Sequence, residues 1–328
     1  MPAERTRKVQ EVKERLLTRL RHGYLQPGDR FLSIRTVAEM YGISYQTAHR
    51  LVAELCDEGT LERRPKSGTY LPGGTRHIHG AQLVFHQRAT KALSFGAKLL
   101  SHLSRRLDVE RIDWTVSFVG DEPCPPSDRL PVIWESKSSV AECARLGRSA
   151  VLINDRPAVG MESLFIDSVS TDDFSGGACA AQLLQSHTSA RRGFAVVAGP
   201  EGDERSARRV AGFLSVQKAA VVSANGWYFD QAILVAEQAV ARGTRGIFCC
   251  GDQLAAAVVR WCDEQGRARP QVVGFDDAPV AETLNLTTIG IPWEELAAGV
   301  AQVVKRRLSG DRGASSHQMF QPRPVIRG

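Results

Sequence analysis

Apolar positions between residues 31 and 71 follow two helical repeats and then a short hairpin pattern. Ser33 can cap a first helix, whose apolar face consists of Ile34, Val37, Ala38 and Tyr41. After a turn at Gly42, Ser44 can cap a second helix, whose inward residues are Ala48, Leu51, Val52 and Leu55. Pro65-Lys66-Ser67-Gly68 is typical of a hairpin tip. This order predicts a winged helix-turn-helix domain.

The polar positions of the same stretch indicate a surface for DNA. In a winged helix-turn-helix the second helix enters the major groove and the wing lies along the backbone. Side chains on that helix and wing can hydrogen-bond base edges or phosphates. The predicted contacts are Arg35, Ser44, Tyr45, Gln46, Thr47, His49, Arg50, Arg64, Lys66 and Gly68.

Beyond residue 80, β-rich apolar runs alternate with helical patterns. The predicted strands are 81–85, 114–119, 130–134, 150–153, 163–166, 193–198, 246–250 and 271–275. The predicted helices are 91–107, 138–146, 175–185, 206–216, 231–241, 253–264 and 294–308. Strand and helix alternation at this spacing predicts an α/β fold with parallel sheets that helices cover on both faces.

Composition narrows the class of protein. The 328 residues carry a net charge of +6, and residues 1–75 hold 13 Lys and Arg against 9 Asp and Glu. A basic N-terminal part suits attraction to phosphates. No apolar run reaches the length of a membrane span, and seven cysteines without regular spacing favour reduced thiols. We therefore expect a cytoplasmic protein without a membrane partner.

The N-terminal stretch resembles the DNA-binding head of the GntR family. The residues that carry the resemblance are Pro27, Gly28, Ser33, Arg35, Val37, Ala38, Ser44, Thr47, Arg64, Gly68, Thr69 and Tyr70. Two positions depart from the family, because Tyr45 and His49 stand where many members carry arginine. The resemblance implies a DNA-binding domain over 1–72. A linker is predicted over 73–80, because Gly73-Gly74 interrupts both periodicities.

From about residue 150 the chain is similar to the effector domain of LacI/GalR repressors. The matching segments are Leu152-Ile153-Asn154-Asp155-Arg156, Gly199-Pro200, Arg209-Val210-Ala211-Gly212-Phe213, Gly251-Asp252-Gln253, Gly274-Phe275-Asp276-Asp277 and Leu286-Thr287-Thr288-Ile289. The resemblance implies a two-lobed, periplasmic-binding-protein-like domain over 81–328. Lobe 1 is expected at about 81–168 plus 290–312, and lobe 2 at about 169–289 plus 313–328.

The first lobe is expected to be shortened. The family places a covering helix between the strands predicted at 114–119 and 130–134. Here the connection is only residues 120–129, and it contains Pro123, Pro125 and Pro126. A proline-bearing run of this length cannot form that helix.

The LacI-type resemblance also implies a ligand site. Asp276 ends an apolar strand where open α/β sheets bind ligands, and Asp155 follows a similar strand. Either Arg205 or Arg208 is expected to face the ligand, whereas Arg209 is expected to have a structural role. Trp227 stands where relatives present an aromatic ring to a sugar, although a core role is equally consistent with the sequence.

These features predict a ligand-responsive transcription regulator, a repressor that forms a homodimer and binds a DNA operator and a sugar-like effector. One alternative keeps the fold but uses the effector domain for dimerisation or protein docking. A second is fusion of the head to a pyridoxal-phosphate aminotransferase-like domain, which Gly274-Phe275-Asp276-Asp277 disfavours. No catalytic residue, metal site or cofactor is predicted.

Overall fold

The computed structural model describes residues 2–21, 28–65, 67–72, 78–145, 148–156, 166–187, 193–241, 243–311 and 314–327. It confirms the predicted α/β class with an N-terminal winged helix-turn-helix. The chain forms two compact units. The first contains residues 1–87, 104–169 and 299–318, and the second contains residues 88–103, 170–298 and 319–328.

The N-terminal domain, called the head below, consists of α1 (Pro2–Arg21), α2 (Ile34–Tyr41), α3 (Tyr45–Asp57), β1 (Glu62–Arg64) and β2 (Gly68–Tyr70). Ser33 caps α2 by accepting a hydrogen bond from the Thr36 amide at 3.0 Å. Gly42 ends α2 with a φ of 59°, which glycine adopts without steric cost. The strands β1 and β2 pair antiparallel, with Arg64 opposite Gly68, and form the predicted wing.

The remaining elements alternate along the chain. The helices are α4 (Phe95–Val109), α5 (Lys137–Arg145), α6 (Asp173–His187), α7 (Glu204–Val216), α8 (Phe229–Ala239), α9 (Asp252–Glu264), α10 (Pro279–Thr283) and α11 (Trp293–Leu308). The strands are β3 (Ala81–His86), β4 (Trp114–Val119), β5 (Leu130–Trp134), β6 (Ala150–Ile153), β7 (Ile166–Thr171), β8 (Phe194–Ala198), β9 (Ala220–Ser223), β10 (Gly246–Cys249), β11 (Gln271–Asp276), β12 (Thr288–Gly290), β13 (His317–Phe320) and β14 (Arg323–Val325).

The first unit is built around a six-stranded sheet in the order β13-β7-β6-β5-β3-β4. The strand β3 pairs in parallel with both β4 and β5, and β5 is buried along its whole length. Residues 120–129 connect β4 to β5 without a helix, as the prolines predict. Arg307 of α11 anchors this sheet from one side, since its Nε lies 2.7 Å from a carboxylate oxygen of fully buried Asp167 on β7.

The second unit is built around a sheet in the order β14-β12-β11-β10-β8-β9. The strands β8 to β12 run parallel, and β14 pairs antiparallel with β12. The first strand, β8, lies between β9 and β10, so the strand order reverses at β8 and β10. Ligands of open α/β sheets bind at such a reversal, beyond the carboxyl ends of the strands.

Two glycines bring α6 and α7 together beside this sheet. A Cβ atom at Gly177 would lie 2.0 Å from the Arg209 carbonyl oxygen, and one at Gly212 would lie 1.9 Å from the Phe174 carbonyl oxygen. The two helices therefore touch backbone to backbone. This close approach places the Arg209 side chain beside the first turn of α6.

Most predicted elements agree with the structure, and the differences have local causes. The helix predicted at 91–107 begins only at Phe95, because residues 87–90 form a 3-10 helix and Leu93 has a φ of 60°. Of the strand predicted at 163–166, residues 163–165 lie outside the described residues, and β7 extends from Ile166 to Thr171 instead. The short strands β9, β12, β13 and β14 were not predicted. Most of the predicted linker, residues 73–77, lies outside the described residues.

Candidate functional site

The head has a concave surface of about 520 Å³ between the starts of α2 and α3 and the wing. Its lining includes Arg30, Arg35, Tyr45, Arg63, Arg64 and Gly68. Four of these six residues are arginines. A concave, arginine-lined surface beside an exposed helix has the charge and shape that a DNA backbone requires.

Three of the predicted DNA-contacting arginines are paired with glutamates in this structure. Arg35 Nε lies 3.0 Å from Glu39, and Arg50 Nε lies 3.8 Å from Glu54. Arg64 Nε lies 3.3 Å from Glu62. Exposed pairs of this kind contribute roughly 0–1 kcal/mol, so a phosphate can replace the glutamate at little cost.

The wing is held in place by packing around Tyr70 and Gly68. The Arg64 guanidinium lies 4.4 Å from the centre of the Tyr70 ring, and Ser67 Oγ lies 2.6 Å from the Tyr70 hydroxyl. A Cβ at Gly68 would lie 2.9 Å from Arg30 Nε. Gly68 thus makes room for Arg30, a residue of this surface that the sequence reasoning missed.

The predicted contacts on α3 fall into two groups. Ser44 Oγ lies 2.8 Å from Thr47 Oγ1 and accepts a hydrogen bond from the Thr47 amide at 3.2 Å, so both residues form the helix cap. Tyr45, Gln46 and His49 lie on the exposed face, as does Arg50. Lys66, the last predicted contact, lies outside the described residues.

In the second unit, a buried arginine joins two carboxylates at the strand ends. Arg209 Nε lies 2.7 Å from Asp173 on α6, and its NH1 lies 3.2 Å from Asp276 at the end of β11. The same NH1 donates to the Cys250 carbonyl oxygen at 2.6 Å. Arg209, which we expected to be structural, therefore contacts Asp276, the predicted ligand residue.

Trp227 lies over the neighbouring strand ends. A Cβ at Gly199, after β8, would lie 2.7 Å from its ring, and one at Gly251, after β10, would lie 3.5 Å away. Trp227 Nε1 lies 3.3 Å from Asp203 Oδ2, and Arg205 NH2 lies 3.2 Å from the same oxygen. The ring is half-buried. Because it lies beside the residues that follow β8 and β10, it covers the place where the strand order reverses.

The cluster shifts the acidity of its carboxyl groups. Burial raises the pKa of Asp276 to about 6, although Arg209 and Arg205 oppose the shift. Burial alone would raise the pKa of Asp203, but Arg205, the Ser206 amide and Trp227 together lower it. At neutral pH both groups are ionised, and both can accept hydrogen bonds.

Asp252, at the start of α9, is a further carboxyl group beneath the cluster. It is fully buried, and burial together with the charge of Asp276 raises its pKa well above the ordinary value. Its oxygens accept hydrogen bonds from the Ala278 amide at 2.7 Å and the Thr288 hydroxyl at 2.6 Å. Asp252 thereby ties the loop after β11 to β12 and supports the position of Asp276.

Of the other predicted ligand residues, Arg205 and Arg208 lie on α7, and Asp155 follows β6 in the first unit. Arg208 pairs with Glu204 at 2.6 Å on the exposed side of α7. Arg205 is therefore the arginine of the two that contacts Asp203 and Trp227. Asp155 belongs to the first unit, is half-buried after β6, and accepts a hydrogen bond from the Arg156 amide at 2.8 Å.

The second-unit cluster combines groups that form hydrogen bonds and stacking contacts with polar ligands. It offers carboxylate acceptors, guanidinium donors and an aromatic ring. Among the described residues there is no group of three or more His, Cys, Asp or Glu placed to hold a metal ion.

Within the same residues, no helix is long and apolar enough to cross a membrane.

A DNA-binding fold followed by a two-lobed effector fold is the domain plan of transcription regulators. Comparison with known families agrees with both parts of this plan. The family of bacterial regulatory proteins called gntR matches residues 8–71, and the periplasmic binding protein-like domain family matches residues 186–328. The chain is thus a GntR-type head joined to a LacI-type effector domain.

Individual relatives and solved structures are also similar to this chain. The HTH-type transcriptional repressor PurR of Salmonella paratyphi B and that of Salmonella newport are each 28% identical over 177 residues, which cover 50% of this chain and 51% of the repressor. The chain thus spans about half the length of these curated relatives.

Among solved structures, a transcriptional regulator CelR–cellobiose complex has a TM-score of 0.64 at 16% identity, covering 90% of this chain and 99% of that one. A LacI family transcriptional regulator from Enterococcus faecalis with bound ribose has a TM-score of 0.63 at 20% identity, covering 75% and 97%. At these identities the likeness shows the fold. The matched proteins are described as regulators.

Proposed function

We propose that this protein is a transcriptional repressor that binds an operator through its head and a neutral, sugar-like effector at the cluster around Asp276. The observation that carries the effector site is the placement of Asp276, Arg209 and Trp227 at the reversal of strand order in the second sheet. Carboxylate and guanidinium groups can make paired hydrogen bonds to hydroxyls, and an indole ring can stack on the C–H face of a sugar.

The charge balance of the cluster favours a neutral ligand over a phosphorylated one. Arg205 is paired with Asp203, and Arg209 is paired with both Asp173 and Asp276. Because the guanidinium charges are already compensated, a phosphate would find no net positive field. Two structural neighbours were solved with cellobiose and ribose, which are neutral sugars.

Regulation requires the effector to favour one conformation of the protein. A tenfold difference in affinity between two conformations supplies about 1.4 kcal/mol. The repressor assignment is supported by the similarity to the PurR repressors. Because its DNA partner lies in the cytoplasm of a bacterial cell, we place the protein there.

We also propose that the protein is a homodimer joined through its effector domain. The strand β4 is the edge of the first sheet, and its Val116 and Phe118 are 39% and 44% exposed. Apolar residues on an edge strand promote pairing unless another surface covers them. A second copy is the partner that a two-fold symmetric operator requires.

Isothermal titration calorimetry of the full-length protein against pentoses, hexoses, their phosphates and purines tests the effector assignment. We expect one neutral sugar to bind and its phosphorylated form to bind at least about tenfold more weakly. Tight binding of a phosphorylated compound or a purine would contradict the ligand class. If no compound binds, the alternative role of the effector domain, dimerisation or protein docking, is favoured.

A further inference from the structure

The exposed face of α3 differs in chemistry from the arginines around it. Tyr45, Gln46 and His49 are all exposed near the start of the helix, and Tyr45 is 58% exposed. Tyr45 stands at the edge of the concave surface, whose charged lining consists of Arg30, Arg35, Arg63 and Arg64. The helix that would enter the major groove therefore presents aromatic and amide groups first.

Tyr45 offers an apolar ring surface next to the ring of His49. Its ring lies 6.5 Å from that of His49, one helical turn away, with 33° between the ring planes. An exposed aromatic ring gains when it covers an apolar group. The C5-methyl of thymine is the apolar group that base edges display in the major groove, so the Tyr45 ring is suited to thymine.

Gln46 offers a planar donor and acceptor. Its amide can donate to adenine N7 and accept from the adenine N6 amino group in a bidentate pair. The flanking Ser44 and Thr47 hydroxyls bond to each other in the helix cap at 2.8 Å. Gln46 is thus the exposed amide on the first turn of α3.

The nearby arginines are better placed for phosphates than for guanine. Bidentate arginine at guanine O6 and N7 is the commonest specific contact in the major groove. Here Arg50 lies 3.8 Å from Glu54 and Arg35 lies 3.0 Å from Glu39, each along its own helix. An anionic phosphate can take the place of the carboxylate in such an exposed pair, whereas the neutral acceptor edge of guanine compensates the guanidinium charge less well.

We infer that α3 selects A·T base pairs, with Gln46 pairing to adenine and Tyr45 covering a thymine methyl group. This inference rests on the proposed DNA-binding function of the head and deepens it by naming the chemistry of the operator half-site. Arg35, Arg50 and the wing supply affinity that depends little on sequence.

The test begins with selection of bound duplexes from random DNA by the full-length protein. In the selected half-site, deoxyuridine then replaces each thymidine, which removes only the methyl group. In a second set, 7-deaza-adenine replaces each adenine, which removes the N7 acceptor. For wild type we expect one position in each set to lose about fivefold to tenfold in affinity.

The variants assign these losses to side chains. At the thymidine where deoxyuridine weakens wild-type binding, it should not weaken binding by Tyr45→Ala. At the adenine where 7-deaza-adenine weakens wild-type binding, it should not weaken binding by Gln46→Ala. Arg63→Ala serves as the matched control, since loss of a phosphate contact should weaken all duplexes alike and leave both sensitivities intact.

The outcomes separate the inference from the function on which it rests. A selected half-site with G·C pairs at the sensitive positions overturns the inference and leaves sequence-specific DNA binding intact. The inference is also overturned if Tyr45→Ala remains sensitive to deoxyuridine and Gln46→Ala remains sensitive to 7-deaza-adenine. If no duplex is bound in preference to random DNA, the operator-binding function fails, and the inference fails with it.

Discussion

At the scale of single residues, Asp276 combines an unusual backbone with a perturbed carboxyl group. Its φ is 108°, a region that L-residues rarely adopt, and Asp277 follows with a φ of 55°. Such conformations persist where the surroundings impose them, commonly at binding sites. Here Arg209 and the buried Asp252 beneath the loop supply that constraint.

The pKa of Asp276 predicts how effector binding depends on pH. Because this pKa is raised from 3.8 to about 6, the carboxylate that accepts effector hydroxyls is lost as the pH falls through 6. Effector affinity should therefore decrease from pH 7 to pH 5 by up to about tenfold. Calorimetry across this range checks the prediction, with Asp276→Asn as the control.

Asp276→Asn should bind the effector at least about tenfold more weakly at pH 7 and should show little dependence on pH between 5 and 7. If the effector affinity of wild type is constant over this range, the Asp276 carboxylate does not take part in binding.

The stability of the protein should change with pH in the opposite direction to effector affinity. Since the folded protein holds this proton more tightly than the unfolded chain, the free energy of unfolding should fall as the pH rises from about 4 to 6.

Arg209 and Arg208 are neighbours in sequence with different expected contributions to stability. Arg209→Met leaves the buried carboxylate of Asp173 without its partner and should lower the free energy of unfolding by about 3–5 kcal/mol. Arg208→Ala removes an exposed pair with Glu204 and should cost less than about 1 kcal/mol. Urea denaturation of both variants measures the difference. Equal losses would contradict the buried role of Arg209.

Some features of single residues could be predicted from the sequence, and others could not. The position of Asp276 at the end of a strand was predicted, because the apolar run that precedes it is visible in the sequence, and its ligand role stays a prediction. The role of Arg209 was not predicted, because its partners Asp173 and Asp276 are 36 and 67 positions away along the chain. Arg30 was missed for a similar reason, since only the folded wing brings Gly68 beside it.

At the scale of elements, the head separates positioning from recognition. The caps at Ser33 and Ser44 fix where α2 and α3 begin. The packing of Tyr70 against Arg64 and Ser67 fixes the wing. Because these contacts are internal to the head, substitutions at the outward positions should change DNA binding more than folding.

The wing provides a prediction of its own. Lys66→Ala should weaken binding about equally on all DNA sequences, because a wing lysine contacts phosphates and not bases. The slope of log K against log salt should become shallower by about one unit, since one fewer counterion is released. Electrophoretic mobility shifts over a range of salt measure both effects. Normal operator binding by Lys66→Ala at every salt concentration would refute the wing assignment.

The elements themselves were predicted unevenly. Continuous apolar runs such as β5 and β6 were placed to the residue, because both strands are buried on every side. The strands β13 and β14 were missed, because exposed and half-buried residues alternate along them without an apolar run. The strand β9 is mostly exposed and four residues long, which leaves little pattern to detect.

At the scale of the whole molecule, each unit is assembled from three separate stretches of chain. Separation of this kind cannot be deduced from local periodicity, and the predicted lobe boundaries came only from the family resemblance. What the sequence did show was the order of a head and an α/β domain. The linker between them stays a prediction, made because Pro72, Gly73 and Gly74 interrupt both periodicities.

Limited proteolysis tests the proposed dimer. Cleavage within residues 72–80 should release a compact C-terminal fragment, since this stretch has little apolar content to bury. The fragment should remain dimeric by analytical ultracentrifugation, whereas Phe118→Asp on the edge strand should make it monomeric. A monomeric wild-type fragment would move the dimer contact to the head, and a dimeric Phe118→Asp fragment would move it away from β4.

The central claim, that an effector held by Asp276 controls operator binding by the head, is tested most directly by a paired titration. Wild type and Asp276→Asn are bound to the selected operator and titrated with the sugar that calorimetry identifies. The two proteins should bind the operator alike without effector, and Asp276→Asn should need at least about tenfold more effector for the same change in occupancy. An identical effector response in both proteins would contradict the account.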